Sequence, residues 1–238
     1  GDRTISRPPA VMGELILALI VFFASHAGPA MPRVRPRLIC RLGRAGYLAI
    51  YSAVSVATTA WLLAALITAP VVPLWPPAPW QHAVAAGAML LACIALAAAL
   101  LVPNPLSVGR PAPPDRIAPL LAVTRHPLLL ALGLWAAAHA LANGDLAAQI
   151  VFVPLALFSF AFMAVIDRRR RRDWGEAAWR ARSASTSLLP FAALVSGRAA
   201  APGFPQTVAV GATGLALFAA LAALHGRIIG MDPFWLWP

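Results

Sequence analysis

Apolar residues in this chain come in long blocks rather than scattered among polar ones. Six runs of about 20 residues carry few charges: 12–29, 46–69, 81–102, 118–142, 146–166 and 206–229. A run of that length spans the hydrocarbon layer as a helix, which satisfies its own backbone where no water is present. The expected fold is therefore all-α, a polytopic membrane helix bundle of about six transmembrane helices. Breakers close the runs: Gly28-Pro29, Pro70, Pro103 and Asn143-Gly144. Asp145 is placed to cap the fifth helix, so the fourth and fifth form a tight hairpin.

Composition strengthens that reading. Of 238 residues, 61% are hydrophobic and 11% charged, and the mean hydropathy of +0.77 exceeds that of ordinary soluble domains. The formal charge of +11 would point to nucleic acid in a soluble chain. Here every basic residue is Arg and lies mostly between the apolar runs, so the expected partner is the lipid bilayer and no nucleic acid.

Arg is retained on the cytoplasmic side of short loops. The loop after the first run holds Arg33, Arg35, Arg37, Arg41 and Arg44, the next such loop Arg110 and Arg116, and the last the five arginines 168–172 with Arg180, Arg182 and Arg198. Segments 70–80, 143–145 and 230–238 hold none, so both termini are expected on the outer side, the last segment as an outer tail. Residues 1–11, GDRTISRPPAV, read as a tail, and a natural start at Met12 would remove Arg3 and Arg7, which alone disagree. The domain proper is then 12–229. Trp75, Trp80, Trp235 and Trp237 on one side, with Trp174 and Trp179 on the other, are expected as interfacial anchors. Segment 167–205 is expected as a basic cytoplasmic loop with an interfacial helix and a re-entering turn.

Histidines are the candidate chemistry. His126 and His139 are thirteen steps apart on the fourth run, about 20 Å of rise with faces roughly 140° apart, so they cannot share one small site. The alternation of loops places His26 and His126 near the cytoplasmic boundary, and His139, His225, Arg227 and His82 near the outer one. Ionisable groups inside a membrane are functional candidates, and neutral imidazole is a good ligand for haem iron. Glu14 and Asp167 are the other charges of interest, Asp167 with neighbouring Arg as its expected partner. Cys40 and Cys93 have no metal-binding spacing.

FFASHAGP, NPLSVG, TRHP, LWAAAHALANGD, TSLLPF and LHGRIIG together resemble the NnrU family over nearly the whole chain from Met12. That resemblance implies a bacterial inner-membrane protein linked to nitrite and nitric oxide reduction, that is, to denitrification, with reductase components as partners. The family is similar to the 15-cis-zeta-carotene isomerases, which use haem b; this likeness implies haem b as cofactor, and isomerase-like redox chemistry as the other branch of the expected function. By motif, the two iron ligands implied are His26 and His139, with His126 in the shared Arg-His-Pro. A cysteine implicated in isomerase ligand switching falls on Ala136 here. TRHP with the 167–191 segment also resembles the membrane methyltransferases of isoprenylcysteine and phospholipid type. This second likeness implies S-adenosylmethionine as cofactor, contacted by Arg125 and His126, with Trp179 in place of a tyrosine. A nonenzymatic assembly factor for a reductase complex is the remaining alternative.

Overall fold

The computed structural model describes residues 10–29, 31 and 33–230. The chain is all-α, with eight helices and one 3-10 turn among the described residues. These form two compact units. Among the described residues, one comprises those from 10 to 75 with Gly144–Val151; the other comprises Pro76–Asn143 and those from 152 to 230.

In the first unit α1 (Ala10–Ala27) packs on α2 (Arg35–Thr68). Leu15 and Ala18 of α1 and Leu62 and Ala65 of α2 are buried. Ser25 Oγ meets Thr58 Oγ1 at 3.2 Å, and Trp61 Nε1 donates to Glu14 Oε1 at 3.1 Å. Glu14 thus has a partner on the neighbouring helix. Two sequence expectations change here. Ala10 and Val11 belong to the helix rather than to a tail, while residues 1–9 lie outside the described residues. The basic stretch 35–42, expected as loop, is helical, because Pro36 suits a first turn and Arg and Leu are good helix formers. Gly43, at φ 71° and ψ 164°, breaks α2 between that basic turn and the apolar span.

After α2, residues 72–75 run beside the start of α5. The N–H groups of Leu74 and Trp75 donate to the Gly144 carbonyl, and that of Leu146 donates to Val72. A side chain at Gly144 would collide with the Trp75 carbonyl, so glycine is required there. Asp145 Oδ1 accepts the N–H of Ala148 at 3.0 Å, the expected cap of α5.

In the second unit α3 (Pro79–Leu101) seats both α4 (Pro127–Ala142) and α8 (Phe204–Ile229). Small residues make that possible: Ala92, Ala95, Ala97 and Ala99 of α3 are buried, and a Cβ on Gly214 of α8 would lie 2.6 Å from Ile94 Cα. Ala97, Val102, Leu120, Leu121 and Val210 form one core cluster; Leu129, Met163 and Ile166 form another.

The fourth apolar run is not one helix. Pro119–Ala122 makes a 3-10 turn, and α4 begins only at Pro127. Proline disfavours helical geometry in the residue before it, and His126 is held at φ −123° and ψ 55°. The expected end of the fifth run at 166 also moves. α5 (Leu146–Trp174) continues through the arginine run, whose cations suit a helix C-terminus, and stops at Gly175, φ 79°. Two short helices follow, α6 (Glu176–Ser183) and α7 (Ala192–Val195).

Helices α2, α3, α5 and α8 are long and apolar enough to cross a membrane; α1 and α4 are shorter apolar helices. Large apolar side chains point outward, including Val56, Ile67, Leu157 and Ile228. That surface fits a lipid bilayer rather than water.

Candidate functional site

Three loop segments and one helix meet in the second unit around Arg125 and His126. In NPLSVG, Asn104 Oδ1 accepts the N–H groups of Leu106 and Ser107, which folds the loop back on itself. Its Nδ2 donates to the Arg125 carbonyl at 2.9 Å. From TSLLPF, the Ser187 carbonyl accepts the Arg125 N–H, the Thr186 carbonyl accepts from the guanidinium, and Phe191 donates its N–H to Val123. α5 contributes Asp167.

His126 is wholly buried at the centre of this junction. Its Nε2 donates to Asp167 Oδ1 at 2.9 Å, which leaves Nδ1 to accept from the Ser107 hydroxyl at 2.7 Å. Asp167 Oδ2 takes the Arg125 guanidinium at 3.1 Å, so Asp167 pairs with Arg125 and His126 rather than with the neighbouring arginine run. Arg125 also lies over the Trp179 ring, 5.3 Å from its centroid. Burial pulls the Arg125 pKa below the ordinary guanidinium value, Asp167 opposes that pull, and Arg198 and Arg171 add to it. Trp179, expected as an interfacial anchor, is instead buried beneath Arg125; Trp174 stacks under Arg170 and Arg182. Trp235 and Trp237 lie outside the described residues.

Both nitrogens of His126 are therefore spent within the protein. A Ser, a His and an Asp in one hydrogen-bonded line resemble a nucleophile with its base, but Ser107 and His126 are both buried, away from any substrate. The junction is a clasp that fixes the start of α4.

His139, at the other end of α4, is bound differently. Its Nδ1–H donates to the Trp135 carbonyl at 2.8 Å, one turn back. The rings of Trp135 and Phe152 pack against it at 5.1 and 5.0 Å, and the ring of His225 from α8 lies at 6.4 Å. Among the described residues Nε2 has no hydrogen-bond partner. His26 in the first unit repeats the arrangement: Nδ1–H donates to the Phe22 carbonyl at 2.8 Å, and the Phe22 ring packs at a tilt against the imidazole, 4.1 Å between centroids. Ser25 Oγ approaches the same nitrogen at 3.3 Å, and again Nε2 has no partner among the described residues.

Of the five sequence candidates, Arg125 and His126 meet at the clasp, His139 and His225 meet at the opposite end of α4, and His26 belongs to the first unit. The separation of His126 from His139 stands. His82, at the start of α3, has a buried Nε2 without a partner. No group of three or more His, Cys, Asp or Glu able to hold a metal ion occurs among the described residues. Sequence reasoning missed Asn104, Ser107, Thr186 and Ser187, although each lies in a motif already noted. Short polar residues inside apolar motifs were the available signal.

The family model described as NnrU protein matches residues 14–233. No curated protein and no solved structure matches.

Proposed function

The chain belongs to the NnrU family, and from that premise we propose that it is a bacterial inner-membrane haem b protein serving redox chemistry linked to nitrite and nitric oxide reduction, with reductase components as its partners. The observation carrying this reading is the anchored imidazole of His139. A histidine that ligates a metal typically donates its other ring N–H to a carbonyl or carboxylate, which fixes the tautomer and raises the basicity of the ligating nitrogen. His139 donates Nδ1–H to Trp135, and its ring packs among aromatic rings. His26, with which the resemblance pairs it, is anchored in the same way on Phe22.

Bound haem b would supply one-electron transfer at its iron. The chain's own contribution is to orient the imidazole and surround it with apolar rings, which tunes the potential through the local dielectric. Ala136 stands where the isomerases carry their cysteine and is fully buried, so no thiol is available there for ligand exchange. This favours electron transfer over isomerisation. The methyltransferase reading is the weaker one, because His126 is closed off from any cofactor by Ser107 and Asp167.

The test is optical. Protein purified in detergent from haem-replete cells is expected to show a Soret band that shifts on reduction and is lost or displaced in His139→Ala. A colourless, folded protein that co-purifies with reductase subunits would replace this reading with the assembly role.

A further inference from the structure

Residues 167–205 hold eight arginines against Asp167, Asp173 and Glu176, and the ion pairs show which cations are left over. Arg169 pairs with Asp173, while Arg171 and Arg180 share Glu176. Asp167 is spent on Arg125 and His126. Arg198 has no carboxylate within ion-pair distance among the described residues, yet its guanidinium is held in place. Nη1 donates to the carbonyls of Ala184 and Thr186, each at 3.1 Å, and Nε donates to Ser196 Oγ at 3.0 Å. Nη2 is left without a protein partner among the described residues.

Two observations set Arg198 apart from an ordinary exposed charge. The Thr186 carbonyl that takes Arg198 also takes Nη2 of Arg125 at 3.3 Å, so two guanidinium groups converge on one uncharged oxygen. Like charges brought together repel unless an anion offsets them, and phosphate oxygens suit the guanidinium fork. The chain that follows Thr186 is, in addition, a turn that presents apolar side chains. Ser187 Oγ donates to the Leu189 carbonyl at 2.7 Å and the Phe191 N–H donates to Val123 at 2.8 Å, which pins the turn. Phe191 is held at φ 65°, in the left-handed region that disfavours a bulky side chain. A strained residue kept in place by surrounding bonds is a candidate for function. Leu189, Phe191 and Val195 are exposed, at 69, 56 and 87%.

We propose that Arg198 and the turn from Ser187 to Phe191 form a binding site for one anionic phospholipid of the adjoining leaflet, its phosphodiester against Arg198 Nη2 and its acyl chains along Leu189, Phe191 and Val195. Charge selects the headgroup. One without an ammonium, as in phosphatidylglycerol, adds net negative charge where arginines outnumber acids, whereas a zwitterionic one brings a cation that the same arginines repel. The apolar turn selects a lipid over a free anion, which gains nothing from Leu189 and Phe191. A lipid held there also braces the Thr186 carbonyl that holds Arg125, so occupancy stabilises the clasp. The site stands apart from the imidazoles and does not depend on haem.

The experiment uses the full chain in a neutral detergent, read by native mass spectrometry and by the thermal unfolding midpoint. With phosphatidylglycerol, wild type is expected to retain one lipid and to gain about 4 °C. Phosphatidylcholine with the same acyl chains should give neither. Arg198→Gln should lose the retained lipid and most of the gain, while Arg180→Gln, which removes one exposed charge elsewhere on the segment, should keep both. Leu189→Gln should weaken retention several-fold with Arg198 intact. Arg198→Lys guards against a folding defect, since it keeps the charge, loses the fork and is expected to retain the lipid more weakly than wild type. Equal losses in Arg198→Gln and Arg180→Gln would overturn the site in favour of diffuse charge. Equal retention of the two lipids would overturn it as well, as would a gain reproduced in full by inorganic phosphate alone.

Discussion

Asp167 carries one negative charge into a mostly buried junction and offers it to two donors, Arg125 Nη1 and His126 Nε2. Removing one partner of such a pair costs more than the pair contributes, because the other is left without compensation. Asp167→Asn is therefore expected to lower unfolding stability by about 3 kcal/mol, and His126→Ala by a similar amount through the lost bonds and the cavity it leaves. Ser107→Ala removes one neutral hydrogen bond and should cost about 1 kcal/mol. Denaturant titration in detergent reads all three, and Asp167→Asn with wild-type stability would show that the clasp is not a fastening. The haem spectrum is the second readout, since His126 and His139 occupy opposite ends of α4. The sequence marked His126 as an ionisable group inside an apolar run and Asp167 at the end of one, and Arg125 through the methyltransferase resemblance. It could not pair Asp167 with Arg125, since 42 residues separate them. Nor could it select Ser107, a common residue whose role comes only from the fold of its loop.

Helix ends, more than helix existence, separate sequence from structure. Each expected apolar run contains a helix, because length and hydropathy alone decide what can cross lipid. The boundaries follow backbone geometry that hydropathy does not report. Pro127 delays the start of α4, Gly43 splits α2, and α5 runs eight residues further as a polar helix, from 167 to Trp174. Glycines supply the test at this scale. Gly144→Ala drives a methyl group into the Trp75 carbonyl and should lower the unfolding midpoint by about 5 °C. Gly13→Ala, in α1 with nothing near the added carbon, should leave the midpoint equal or slightly higher. Similar midpoints for the two variants would remove the argument that the 72–75 segment is held closely against residues 144–146.

The chain as a whole turns large apolar side chains outward along its helices, so detergent or lipid takes the place that water has around a soluble protein. Carbonate washing of membranes should leave it in the pellet, and recovery in the supernatant would contradict the bundle. Reporter fusions test the orientation expected from arginine: insertions in 30–45 and 70–80 should report opposite sides, and a shared side would overturn it. The broken fourth run has its own consequence. At 16 residues α4 reaches about 24 Å, whereas the hydrocarbon layer is about 30 Å thick. The 3-10 turn Pro119–Ala122 and the segment to His126, packed into the clasp, carry the run past the N-terminal tip of the helix, so protein rather than lipid closes that end.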